Sequence, residues 1–96
     1  MTHTWKITEL VSNASTGLVT KAYYKHTTEH NGAIFDGVIG DFFPTGSVTD
    51  PGFITYSSLT ESDVLTWLNT YVDKTISETK LENKINNLEI FKGLPW

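Results

Sequence analysis

The sequence predicts a small α+β domain in which an antiparallel sheet is followed by one or two helices. The first observation is a change of hydrophobic period near residue 60. Apolar residues alternate with polar ones before it and recur every three to four residues after it. The second is an Asn-Gly pair at residues 31–32, a hairpin signal between two strand-like segments. The third is a helix-start pattern at residues 60–63. We therefore expect a sheet of three to four strands at about residues 4–56, packed by helices at about 61–73 and 75–89.

The first two strands are predicted from alternation. Residues 4–10 alternate apolar and polar side chains, as a half-buried strand does. Residues 18–28 are rich in β-branched and aromatic side chains, which suit the same environment. In this second strand Ala22, Tyr24 and His26 share one face, because side chains in a strand alternate between its two sides.

A third strand is predicted at residues 33–43. It runs antiparallel to the second, because the Asn-Gly pair before it tolerates the positive φ that a tight hairpin turn demands. Gly37 and Gly40 within this strand indicate a bulge or a place where another group packs closely. A short extended segment at residues 53–56 is a candidate fourth strand, which is why the prediction is three to four strands.

The first helix is predicted to begin at Glu61. The Thr60 hydroxyl is placed to accept a hydrogen bond from a free amide of the first turn, where Asp63 lies beside the positive helix end. Six apolar residues then span an arc of roughly 160°, which is wide enough to cover a sheet face. They are Val64, Leu65, Trp67, Leu68, Tyr71 and Val72.

The second helix carries only a narrow apolar stripe, formed by Leu81, Ile85 and Leu88. One interpretation packs this stripe beside the first helix. The other docks it against a neighbouring subunit, because the stripe is too thin to need deep burial. The chain ends in a large apolar side chain, Trp96, which we expect to be buried in its own domain or in an interface. The interface candidates are therefore Leu81, Ile85, Leu88 and Trp96.

Length and composition narrow the function classes. The 96 residues suit one domain, residues 1–96, and the lack of cysteine removes disulfides and thiolate metal sites. No apolar stretch approaches the roughly 20 residues of a membrane span, and the polar start is unlike a signal peptide, so we expect a soluble protein. The net charge is −4, and the seven cationic residues are scattered lysines with no arginine. This pattern lacks the basic footprint of a nucleic-acid-binding protein.

One segment matches a catalytic motif. His26-Thr27-Thr28-Glu29-His30 has the H-x-x-E-H form of certain zinc peptidases, in which two histidines bind the metal and a glutamate is the general base. That chemistry requires a helix, whereas the flanking residues favour a strand entering a hairpin. We therefore interpret His26, Glu29 and His30 as solvated residues at a hairpin end. They remain the only metal-site candidates, and we expect no catalytic residue and no cofactor.

The sequence also resembles a known group of proteins. The resemblance rests on three motifs: an opening Trp5-Lys6-Ile7, a central Phe-Ile-x-Tyr-x-x-Leu-Thr-Glu-x-x-Val-x-x-Trp at residues 53–67, and a closing Gly-Leu-Pro-Trp at residues 93–96. In these motifs the chain resembles a family of small tailed-bacteriophage proteins of unknown function. The resemblance implies a protein of the phage virion or of phage takeover and carries over no catalytic residue.

Three hypotheses of function follow. The first is a non-enzymatic virion structural or assembly protein, such as a decoration, neck or tail accessory subunit, whose partners are other phage structural proteins or further copies of itself. The second is a small intracellular adaptor that binds a host protein. The third is a metal-dependent hydrolase that uses His26, Glu29 and His30. The first predicts a location in the virion, or in the host cytoplasm during infection, with neither nucleic acid nor membrane as a partner.

Overall fold

The computed structural model describes residues 1–90, apart from the side chains of five residues. These five are Asp36, Val38, Leu88, Glu89 and Ile90. Three strands form one antiparallel sheet in the order β1-β2-β3, and two helices follow, which confirms the α+β prediction. The elements are β1 (Thr2–Ser12), β2 (Val19–His30), β3 (Ala33–Phe42), a short 3-10 helix (Tyr56–Ser58), α1 (Glu61–Tyr71) and α2 (Lys74–Ile90). None of the helices within the described range is both long and apolar enough to cross a membrane.

The hairpin between β2 and β3 forms where the Asn-Gly pair predicts it. Asn31 has a φ of 52° and Gly32 a φ of 79°, so both occupy the left-handed region that a two-residue hairpin requires. The predicted extended segment at residues 53–56 does not join the sheet. It leads into the 3-10 helix instead, and the described residues therefore give the lower of the two predicted strand numbers.

The helices cover one face of the sheet. The even-numbered residues of β2 from Ala22 to Thr28 face them, and Ala22, Tyr24, His26 and Thr28 are all buried there. The sheet bulges where Lys25 pairs with Ile39 but Thr27 pairs with Asp36. Gly37 lies inside this bulge. A Cβ atom on Gly37 would lie 2.7 Å from Leu81 Cδ2 and 2.9 Å from the His26 carbonyl oxygen. The predicted bulge and close approach are therefore both confirmed.

Each helix covers a different end of that face. The predicted cap of α1 is present: the Thr60 hydroxyl accepts from the Asp63 amide, and the Asp63 carboxylate accepts from the Thr60 amide at 3.0 Å. Val64 and Leu68 of α1 then complete an apolar cluster, whose sheet residues are Ala22, Tyr24 and Phe42. The longer α2 lies over β2 and β3 at the other end, where the buried sheet residues are His26 and Thr28. The buried sheet residues are therefore apolar at one end of the interface and polar at the other, which we call the polar end.

Candidate functional site

His26 is the centre of the polar end. Its side chain is 0% exposed, so the interpretation of His26 as a solvated hairpin residue is wrong. The physical reason is that β2 continues to His30, which places His26 four residues before the turn and beneath α2. The sequence signal for this inward position was that His26 lies on the same face of the strand as Ala22 and Tyr24, because alternate residues of a strand project to the same side.

The remaining residues of the H-x-x-E-H motif do not meet His26. His30 lies four residues further along the same extended strand, which corresponds to about 13 Å. Glu29 is exposed and its side chain alternates to the opposite face. The structure therefore does not bring His26, Glu29 and His30 together, because their convergence requires a helix and this segment is a strand.

A second histidine approaches His26 from the neighbouring strand. His3 of β1 pairs in register with Thr28 of β2. Its Nδ1 lies 2.9 Å from His26 Nε2 and 2.7 Å from Thr28 Oγ1. The contact joins residues 23 positions apart in the sequence, so no local sequence motif predicts it.

Helix α2 contacts the outer nitrogen of each imidazole. Ser77 Oγ lies 2.9 Å from His26 Nδ1, and Glu82 Oε1 lies 3.5 Å from His3 Nε2. Between them on the helix, Glu78 Oε2 accepts a hydrogen bond from Trp5 Nε1 at 3.1 Å.

Trp5 closes one side of the cluster. Its ring stacks on the His26 ring with a centroid separation of 4.1 Å and an interplanar angle of 2°. The Lys74 ammonium lies 5.5 Å from the Trp5 ring centroid. The indole therefore covers the face of the buried imidazole, and its polar atom fixes Glu78.

The cluster has the composition of a metal-binding site. Potential ligand atoms of His3, His26 and Glu78 all lie within 4.8 Å of one another. Burial lowers the pKa of His26, as do the nearby His3 and Lys74, while Glu78 raises it. The net effect favours the neutral imidazole, which is the form that binds metals.

Two of the interface candidates on α2 are buried within this chain, whereas docking to a neighbouring subunit requires exposed side chains. Leu81 is 5% exposed and Ile85 is 1% exposed, so both belong to the core of this chain and are unavailable to a neighbouring subunit. The side chain of Leu88 and all of Trp96 lie outside the described residues, so their interface role stays a prediction.

The opposite face of the sheet is a second candidate surface. We call it the outer face; it carries Tyr23, Lys25, Glu29, Ile34 and Ile39. Ile34 pairs with Glu29 and Ile39 with Lys25, and directly opposed residues of antiparallel strands project to the same face. The two isoleucine side chains are 72% and 75% exposed, respectively. The sequence did not single them out, because a run of apolar residues in a strand does not show which face is covered.

Comparison with known proteins gives a family but no activity. No curated protein and no solved structure shows significant similarity to the chain. A family model described as a domain of unknown function, DUF7936, matches residues 1–96. The chain therefore belongs to the DUF7936 family of domains of unknown function.

Proposed function

We propose that the protein is a non-enzymatic phage structural or assembly subunit that acts by protein–protein contact. Two lines support the proposal: the resemblance of the sequence to small tailed-phage proteins, and the outer face of the sheet. The outer face carries the argument from the structure, because two isoleucine side chains are exposed on it and their burial favours association. The location that this role implies is the virion, or the host cytoplasm during infection.

The apolar residues of the outer face lie on an edge strand. β3 is the last strand of the sheet, and no described strand pairs with its outer side. An edge strand of this kind permits β-sheet addition by another chain. Ile34 and Ile39 are both more than two-thirds exposed on this strand. Burying them stabilises a contact by about 25 cal/mol per Å² of apolar area.

The charges around the isoleucines suit a protein partner. Lys21 and Asp41 form an ion pair at 3.4 Å on the same face, and the Lys21 ammonium lies 4.6 Å from the Tyr23 ring centroid. The outer face thus alternates both signs of charge with apolar and aromatic groups. Such a mixture is typical of protein interfaces, whereas a phosphate backbone requires clustered cations.

The proposal implies that a phage encodes the chain, and mass spectrometry of purified particles of that phage tests the role directly. We expect the chain in the particle at a fixed ratio to another structural protein. The double variant Ile34→Glu/Ile39→Glu should be folded but should be lost from particles, because two charges on the outer face oppose its burial. Ile76→Glu is the matched control, since Ile76 is an exposed isoleucine of α2.

Two outcomes contradict the proposal. Absence from particles, together with stoichiometric recovery on one host protein, favours the adaptor hypothesis instead. Normal incorporation of the double variant shows that the outer face is not the contact surface. The hydrolase hypothesis gains no support from the geometry, because His26, Glu29 and His30 lie on different parts of one extended strand.

A further inference from the structure

The polar end of the helix–sheet interface contains two histidine nitrogens in close contact. His3 Nδ1 and His26 Nε2 are 2.9 Å apart. A neutral imidazole carries one proton, on either nitrogen. When both protons lie on the outer nitrogens, the two inner nitrogens face each other with lone pairs. Lone pairs at this distance repel, so a proton or a metal ion between them stabilises the arrangement.

The Glu82 carboxylate favours a proton on the outer nitrogen of His3, and the Ser77 hydroxyl is compatible with a proton on the outer nitrogen of His26. Glu82 Oε1 lies 3.5 Å from His3 Nε2, and a carboxylate accepts a hydrogen bond but does not donate one when ionised. Ser77 Oγ is at 2.9 Å from His26 Nδ1 and is able to accept as well. A hydrogen-bond acceptor behind each histidine, most often a carboxylate, a backbone carbonyl or water, is the usual environment of metal-binding imidazoles, because it fixes the ring and directs the inner lone pair at the metal. Glu82 fits this role directly, and Ser77 fits it when its hydroxyl accepts.

The distances require only small movements for coordination. Bonds of 2.0–2.1 Å in a tetrahedral site place neighbouring ligand atoms about 3.4 Å apart. The two inner nitrogens therefore need to separate by roughly 0.5 Å. Glu78 lies within 4.8 Å of both histidine ligand atoms, and rotation of its side chain shortens that distance. The Trp5 hydrogen bond to Oε2 leaves Glu78 Oε1 as the second carboxylate oxygen for a ligand.

We propose that His3, His26 and Glu78 bind one divalent transition-metal ion, with Zn²⁺ as the best match. Two imidazoles and a carboxylate form an established zinc ligand set, whereas Ca²⁺ and Mg²⁺ prefer oxygen ligands alone. The three ligands come from β1, β2 and α2, so the ion joins the helix to both strands. Thr28 Oγ1, which lies 2.7 Å from His3 Nδ1, or a water molecule occupies the fourth position.

Calorimetric titration of the full chain with zinc chloride, after removal of metals by chelation, tests the site. We expect one ion per chain and a rise of at least about 5 °C in the melting temperature at saturation, because an ion bound only by the folded state stabilises it. Co²⁺ substituted for Zn²⁺ should give the visible absorption of tetrahedral coordination. Neither measurement depends on the proposed contact function.

Conservative variants assign the ligands. His3→Gln and Glu78→Gln should each reduce Zn²⁺ affinity by at least tenfold, while the apo proteins stay folded by circular dichroism. Glu82→Gln removes only the group behind His3 and should reduce affinity by about 10- to 100-fold without changing the stoichiometry. His30→Ala is the matched control and should bind Zn²⁺ as the unmodified chain does.

The proposal is overturned by three results. One is the absence of stoichiometric Zn²⁺ binding to the unmodified chain. Another is unchanged affinity in His3→Gln or Glu78→Gln. The third is loss of binding in His30→Ala, which would move the site to the H-x-x-E-H segment.

Discussion

Replacement of His26 by alanine should destabilise the metal-free protein by about 3 kcal/mol. The imidazole is fully buried, stacks on Trp5 at 4.1 Å, and contacts both Ser77 and His3 within 2.9 Å. Truncation of a buried aromatic ring to alanine costs about 3–5 kcal/mol. We place His26 at the low end of this range, because an imidazole is smaller and more polar than the rings that define it.

The individual interactions lost in His26→Ala add up to a similar loss of stability. Loss of the stacked pair accounts for about 0.5–1.5 kcal/mol. Loss of a hydrogen-bond partner costs about 1–3 kcal/mol where the remaining group stays buried. His3 retains contacts to Thr28 and Glu82, so the penalty on that side is small. Ser77 is only half-buried and gains access to water.

Urea denaturation in the presence of a chelator measures the effect without any contribution from metal. With a slope of about 1–3 kcal/mol per M, a loss of about 3 kcal/mol lowers the midpoint by roughly 1–3 M. His30→Ala is the matched control on the same strand, for which we expect a loss below about 1 kcal/mol. A His26→Ala variant within about 0.5 kcal/mol of the unmodified chain would refute the burial of His26.

Four further predictions concern the remainder of the chain. Thr60→Ala removes the cap of α1 and should lower the free energy of unfolding by about 1 kcal/mol in urea. Leu81→Ala should lower it by about 3 kcal/mol without changing the size-exclusion profile, because Leu81 belongs to the core. Gly37→Ala should cost about 1–3 kcal/mol, since its Cβ overlaps a backbone oxygen, whereas Gly52→Ala meets nothing within 4 Å and should be near neutral. Residues 93–96 lie outside the described range, and their deletion tests where the tail docks. If the tail docks within the chain, deletion should lower the free energy of unfolding by about 2–4 kcal/mol without changing the size-exclusion profile. Loss of assembly at an unchanged urea midpoint indicates an interface instead.

The elements that local chemistry determines could be predicted from the sequence. The positive φ values of Asn31 and Gly32 follow from the two residue types, and the reciprocal bonds of Thr60 and Asp63 follow from their spacing. The bounds were less accurate than the elements themselves. β1 runs from Thr2 to Ser12 and not from 4 to 10, because pairing with the long central strand extends it past its alternating segment.

The histidine cluster could not be predicted in the same way, because it depends on contacts between distant residues. His3 reaches His26 only when β1 and β2 adopt one particular register, and that register includes an irregularity between Ile7 and Glu9. Glu78 lies on α2, 52 residues after His26 in the sequence. Sequence spacing instead pointed to His30, which is close in the chain but remote in space.

The two ends of the helix–sheet interface differ in what stabilises them. Under α1, Val64 and Leu68 bury apolar surface against Tyr24 and its neighbours, which stabilises the fold without any ligand. Under α2, the same sheet face buries His26, and a buried polar group is stabilising only when its partners are satisfied. An apolar side chain at this position would need no such partners. Leu81 and Ile85 also bury apolar surface under α2, so the attachment of this helix rests both on apolar packing and on the hydrogen bonds of the histidine pair. The proposed ion would add to that attachment, because it would join α2 to both strands.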